Sequence, residues 1–136
     1  MLLEIALSSD ASAIAELEYL LFPEVNLNEV SIDTELTLGT GWVIYHRNAL
    51  AAYLFGRSAE GSPFDILRLG VHPDYQGRGL GSQLLLRALQ HPKGAMLTVL
   101  KSNQRAIHLY RRFGFTIVGE LTHAGAWVMR LSTSSG

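Results

Sequence analysis

The sequence has no cysteine. That excludes disulfides, thiolate nucleophiles and zinc–thiolate centres, and it fits a reducing cytoplasm, the expected location. No apolar run approaches the roughly 18 residues that a membrane-spanning helix requires. The opening "MLLEIALSSD" is interrupted by Glu4 and has no basic stretch, so it does not read as a secretory signal. Positive charge is missing from the first third. Residues 1–46 hold eight carboxylates and neither Lys nor Arg, whereas residues 47–136 hold all eleven Lys/Arg and only four carboxylates. The net charge of -1 therefore averages two strongly opposed parts. The division reflects either ordinary solvated faces or a first third that meets a cation and a remainder that meets an anion. No concentrated basic run of the nucleic-acid-binding kind occurs, so neither nucleic acid nor membrane is an expected partner. No His/Asp/Glu spacing suggests a metal site, and none is expected.

With 136 residues, 48% hydrophobic and 17% charged, the chain is the size of one domain and has enough apolar side chains for a real core. "LLEIAL" reads as a strand. "SSDASAIAELEYLLFP" reads as a helix capped by Ser8 or Ser9, with Asp10 in its first turn, Ile14, Leu17 and Leu21 on one face, and Pro23 as its stop. Residues 26–38 are ambiguous, with a second short helix as one reading. "GWVIYH" and "LAAYLFGRS" flank Arg47-Asn48 as a hairpin. "SPFDILRLGVHP" is a further strand, ended by Pro73. A helix over 80–91 carries Leu80, Leu84 and Ala88 on one stripe with Leu85 and Leu89 beside it, and "AMLTVLKS" is the next strand. "NQRAIHLYRRFGF" reads as a helix capped by Asn103, striped by Ala106, Leu109, Tyr110 and Phe113, and ended by Gly114. "FTIVGEL" and "AWVMRL" close as a hairpin, and the tail 132–136 reads as loose. Hairpins followed by alternating strands and helices predict an α+β (mixed α/β) domain with six or seven strands and helices on both faces.

The chemistry concentrates in "VHPDYQGRGLGSQLLL". A strand, a glycine-rich turn and a helix start together form an anion site by geometry. Orphan backbone N–H groups and the helix dipole both favour negative charge there. Gly77, Gly79 and Gly81 allow positive φ and close approach, and Arg78 adds a charged donor. The spacing selects among ligands. A Walker loop needs Gly-Lys-Ser/Thr, which is absent. G-x-G-x-x-G counted from Gly77 falls on Ser82 instead of glycine.

The spacing Gln76, Gly79, Gly81 is Q-x-x-G-x-G. Together with "KSNQRAIHLYRRFGF" about twenty residues later, it resembles the GNAT superfamily of acyl-CoA N-acyltransferases. The chain is nearest in look to the ribosomal-protein alanine N-acetyltransferases. The resemblance covers residues 64–120 well and residues 1–45 only in outline. It implies one GNAT-like domain over 1–136, with a mostly antiparallel mixed sheet that splays between its fourth strand (64–71) and fifth strand (95–101). The implied cosubstrate is acetyl-CoA, without a metal. Its pantetheine arm would pair with the backbone of Leu69 and Val71, its pyrophosphate would lie on Gln76, Gly77, Arg78, Gly79, Leu80, Gly81 and Ser82, and Asn103 would contact the pantetheine arm. Gly70 suits a bulge or close backbone approach, and a backbone N–H near Gly70 and Val71 would serve the oxyanion. Tyr110 matches the family tyrosine that protonates the leaving thiolate.

A base is harder to assign. The fifth-strand position falls on Thr98, which cannot act as one, and the fourth-strand alternative falls on Asp65. Strand alternation puts Asp65 on the face of Leu67, Leu69 and Val71, where apolar neighbours would raise its pKa. His72 and His123 are outside candidates. The implied reaction is acetyl transfer to a primary amine of a small molecule or a protein N-terminus, with a cationic acceptor favoured by the acidic first third. A homodimer is compatible with this reading. The competing reading is a non-catalytic acyl-CoA-binding sensor or scaffold.

Overall fold

The computed structural model describes residues 1–132, and the tail 133–136 lies outside it. Seven strands form a mixed sheet in the order β1-β2-β3-β4-β5-β7-β6. In chain order the elements are β1 Leu2–Ile5, α1 Ala11–Leu21, α2 Glu29–Leu38, β2 Thr40–His46, β3 Ala49–Arg57, β4 Phe64–Val71, α3 Leu80–Ala88, β5 Ala95–Leu100, α4 Gln104–Phe113, β6 Thr116–Leu121 and β7 Ala126–Leu131. The chain divides into two compact units. One comprises Met1–Arg57 and Leu67–Arg87, and the other comprises Ser58–Ile66 and the chain from Ala88 onward.

In the first unit, β1 and β3 pair antiparallel with β2. The β2–β3 turn is two residues long, with Arg47 at φ 52 and Asn48 at φ 67. Positive φ at both central residues matches the right-handed twist of a hairpin, and asparagine tolerates it well. β3 is buried from Leu50 to Gly56, as befits an interior strand covered on both faces. Ile14 and Leu17 of α1, Ile32 of α2, and Val43, Tyr53 and Phe55 of the sheet form one apolar cluster. The ambiguous stretch is thus helix α2, capped by the Asn28 side chain, which accepts from the Ser31 N–H at 2.9 Å. The start of α1 departs from expectation. Neither Ser8 nor Ser9 caps it. A 3₁₀ turn over Ser8–Asp10 leads in, the Asp10 carboxylate accepts from the Leu7 N–H at 2.7 Å, and Ser8 donates its hydroxyl to Asp33 of α2. The serine hydroxyl is spent on tertiary contact, and the N-cap residue Asp10 makes no side-chain cap bond to α1.

In the second unit, β5 pairs antiparallel with β7, and β7 with β6. The start of β4 joins this unit through a parallel ladder of Phe64, Asp65 and Ile66 against Ala95, Met96 and Leu97. α4 is capped by Asn103, whose Oδ1 accepts from the Ala106 N–H at 3.2 Å, and it ends at Gly114 with φ 107. Its buried stripe is centred on Ile107 and Tyr110, with Ala106, Leu109 and Phe113 half-buried at its margin. The expected stripe omitted Ile107, which lies three residues before Tyr110 and so shares its face.

Candidate active site

β4 leads into the glycine loop. His72 ends the strand by donating its N–H to the Ala51 carbonyl of β3 at 2.8 Å. Backbone polar groups alternate sides along a strand, so those of Leu69 and Val71 point away from β3. Pro73–Tyr75 makes a 3₁₀ turn, and its Tyr75 N–H donates to the His72 carbonyl at 2.8 Å. The Gln76 amide then folds back and donates to the Val71 carbonyl at 3.2 Å. Gln76 therefore braces the strand end against the loop.

Gly77 and Gly79 have φ of 80 and 79, and a Cβ on either would meet no atom within 4 Å. Glycine is needed there for conformation and not for space, and the loop surface is open at both positions. The first helical bond of α3 runs from the Gln83 N–H to the Gly79 carbonyl at 3.0 Å. This leaves the N–H groups of Leu80, Gly81 and Ser82 without an intrahelical acceptor, on the positive end of the helix dipole. Leu80 is buried and anchors that end. The Arg78 guanidinium lies over the Tyr75 ring at 5.2 Å. Tyr75 is itself fixed, with its hydroxyl 3.0 Å from His46 Nδ1 and edge-to-face ring contacts to His46 and His72. The loop therefore presents N–H donors and one cation from a scaffold whose atoms are already ordered. That arrangement suits a diphosphate.

The other face of β4 carries a feature absent from the sequence reading. Glu18 of α1 has a fully buried side chain and is the one buried charged residue among those described. Its carboxylate accepts from Arg68 Nη2 at 2.8 Å, from Arg68 Nε at 3.1 Å, from the Leu27 N–H at 3.1 Å, and from the Tyr53 hydroxyl. Arg68 also donates to the Val25 carbonyl and stacks on Phe22 at 5.1 Å. A buried carboxylate is tolerable only with such full pairing. Tyr53 has its pKa pushed far up by burial, with the nearby Glu18 charge adding to the shift. A Cβ on Gly70 would lie 2.6 Å from both the Tyr53 ring and its hydroxyl, and 2.7 Å from Leu21. Close approach is thus the reason for glycine at position 70. The sequence did hold a signal: Arg68 falls between Ile66 and Gly70 on one strand face, and a cation there needs a carboxylate.

In the second unit, Asn103 spends its Oδ1 on the cap of α4, so the donors left on that side chain are those of Nδ2. The Tyr110 ring is buried and tilted against Phe115 at 5.6 Å. Its hydroxyl makes no hydrogen bond among the described residues, where no buried side-chain polar atom lacks a partner. Burial pushes the Tyr110 pKa up to about 12, which keeps the phenol protonated. Asp65 is half-buried in the β4–β5 ladder, and burial raises its pKa as the apolar neighbours predicted. His123 sits in the exposed 3₁₀ turn between β6 and β7. Among the described residues no three His, Asp or Glu side chains group to hold a metal, and no helix is long and apolar enough to cross a membrane.

Comparison with known proteins places this arrangement. Residues 38–117 match the family model described as Acetyltransferase (GNAT) domain. The spermine/spermidine N(1)-acetyltransferase of Bacillus subtilis is 40% identical over 68 residues, which are 46% of this chain and 45% of that enzyme. The chain spans less than half the length of the polyamine acetyltransferases it matches. In fold, the ribosomal-protein-S18-alanine N-acetyltransferase of Escherichia coli superposes with a TM-score of 0.80 at 20% identity, covering 99% of this chain and 96% of that one. The PaiA N-acetyltransferase of Thermoplasma acidophilum, solved in complex with coenzyme A, superposes with a TM-score of 0.78 at 15% identity, covering 97% and 99%.

Proposed function

The chain belongs to the GNAT acetyltransferase family, and we propose that it transfers an acetyl group from acetyl-CoA to a primary amine by direct attack on the thioester. The observation that carries this reading is the loop from Val71 to Ser82. Its two left-handed glycines open onto solvent, its helix N-terminus is unspent, and Arg78 is held above Tyr75. Gln76 to Ser82 would take the pyrophosphate, chiefly through the N–H groups of Leu80, Gly81 and Ser82 and the Arg78 guanidinium. The outward backbone groups of Leu69 would pair with the pantetheine arm, the Val71 carbonyl, which also accepts from Gln76, would be a further acceptor for it, and the Nδ2 of Asn103 would donate to it.

An ammonium nitrogen first loses a proton to bulk water; the neutral amine nitrogen then attacks the thioester carbonyl, and the carbon–sulfur bond breaks. The Val71 N–H would donate to the oxygen that becomes negative. Tyr110, kept protonated by burial, would give its proton to the departing thiolate, and the amine nitrogen releases one further proton on forming the amide. Asp65 is the proposed acceptor of that proton on the strength of its raised pKa.

The acceptor proposed is a cationic amine, either a polyamine or a protein N-terminus. Glu16, Glu24 and Glu29 are solvent-facing carboxylates of the cation-free first third, and they would attract it over about one screening length, ~8 Å at physiological ionic strength. A thiol-release assay with acetyl-CoA against spermidine, N-terminal peptides and neutral amines tests the proposal. Release with a cationic amine is expected, and its rate should fall with added salt. Tight CoA binding with no release across the panel would replace the enzyme reading with that of a binding module.

A further inference from the structure

We infer that Glu18, Tyr53 and Arg68 together act as a positioning device for the Gly70–Val71 peptide, the backbone group assigned above to the thioester oxygen. The inference rests on that reading of β4. Its structural part is testable without it.

Gly70 has no side chain, so its strand could shift or twist locally unless something presses on it. The Tyr53 ring and hydroxyl occupy the space where a Cβ would be, 2.6 Å from that point, and Leu21 closes the same side at 2.7 Å. Gly70 therefore rests directly on Tyr53. The ring cannot swing away, because its hydroxyl donates to the buried Glu18 carboxylate. Glu18 cannot swing away either. Arg68, two residues before Gly70 on the same strand face, holds it through two N–H groups at 2.8 and 3.1 Å. The loop closes on itself: β4 carries the arginine that fixes the carboxylate that fixes the tyrosine that backs β4. The Val25 carbonyl and the Phe22 ring hold the arginine from the outside.

A catalytic hydrogen bond from a backbone N–H works only if that N–H is aimed before the reaction begins. A side-chain donor is aimed by its rotamer, whereas a backbone donor is aimed only by the strand. This network fixes the strand at the one residue that has no side chain to do so. None of its three members needs to touch substrate, and with Glu18 and Tyr53 fully buried those two cannot.

Tyr53→Phe keeps the ring and removes the hydroxyl. In folded protein, amide hydrogen exchange of His72, whose N–H donates to the Ala51 carbonyl of β3, should rise at least ~5-fold while that of β2 stays unchanged. The kcat for thiol release should fall ~10-fold with KM for acetyl-CoA within about twofold, the pattern of a misaimed donor and not of lost binding. A packing role alone would lower the melting temperature and leave kcat per folded molecule intact. Should Tyr53→Phe not fold, Glu18→Gln carries the same two measurements. Unchanged exchange at His72 overturns the inference whether or not the protein turns over. Faster exchange with unchanged kcat overturns the catalytic half alone. A wild type that releases no thiol counts against the proposed function, and the exchange result then decides the positioning device by itself.

Discussion

The Arg68 guanidinium and the Glu18 carboxylate meet through two N–H donors at 2.8 and 3.1 Å, with no solvent exposure on the Glu18 side chain. Breaking a buried pair by removing one partner strands the other charge, at a cost of about 3–5 kcal/mol. Arg68→Ala should therefore lower stability to urea by about that much. Removing both charges while keeping an acceptor for the Tyr53 hydroxyl and the Leu27 N–H, as Glu18→Gln with Arg68→Leu, should recover part of the loss. A double variant no more stable than the single one would show that packing, and not the stranded carboxylate, sets the cost.

Arg78→Ala should raise KM for acetyl-CoA ~5- to 10-fold and change kcat little, since a ligand held equally in ground and transition states affects binding alone. Gly79→Ala should act on the same step for a different reason. A Cβ at φ 79 has room but is strained by about 1–2 kcal/mol, and the loop relieves the strain by leaving the conformation that binds. Calorimetric titration with CoA and with pantetheine separates the causes. Both variants should weaken CoA and spare pantetheine, which has no phosphate. Equal losses for the two ligands would remove the loop from the phosphate site.

Tyr110→Phe should lower kcat ~10- to 100-fold without altering KM for acetyl-CoA. The pH dependence has a definite sign. Burial moves the Tyr110 pKa from 10.0 to about 12 in the folded protein, so the folded state keeps its proton when the unfolded state has lost it. The corresponding stability is complete below pH 10 and disappears as pH rises toward 12. Tyr45, also pushed up to about 12, chiefly by burial and then by its bond to Asp10, contributes in the same window. Urea midpoints across that range should fall for the wild type and fall less for Tyr110→Phe. An unchanged slope would mean that the ring is not buried in solution.

Asp65→Asn should lower kcat and flatten the acid limb of the pH–rate profile, a limb that burial shifts above the ordinary carboxylate value of 3.8. A wild-type rate in Asp65→Asn would remove Asp65 from the reaction and leave the amine to lose its proton to water.

Much of the molecule is legible from local pattern. The hairpin at Arg47-Asn48, the cap at Asn103, the stop at Gly114 and the glycine loop are each specified within four or five residues, because backbone chirality and hydrogen-bond spacing act over that range. The family resemblance rides on the same short-range spacing of Gln76, Gly79, Gly81, Asn103 and Tyr110. Local pattern misplaced what depends on competition between partners. Ser8 left its cap for Asp33.

The sequence by itself determined where helices, turns and the anion loop lie, since those follow from side-chain period and allowed φ. Only the tertiary structure decided that Glu18 is buried, that it meets Tyr53 and Arg68 across 35 and 50 residues, and that Gly70 must therefore be bare. The reason is physical. A charge has no fixed cost until its solvent is removed, and a glycine has no fixed neighbour until strand register brings one to its Cα. Both quantities come into existence only when distant segments pack.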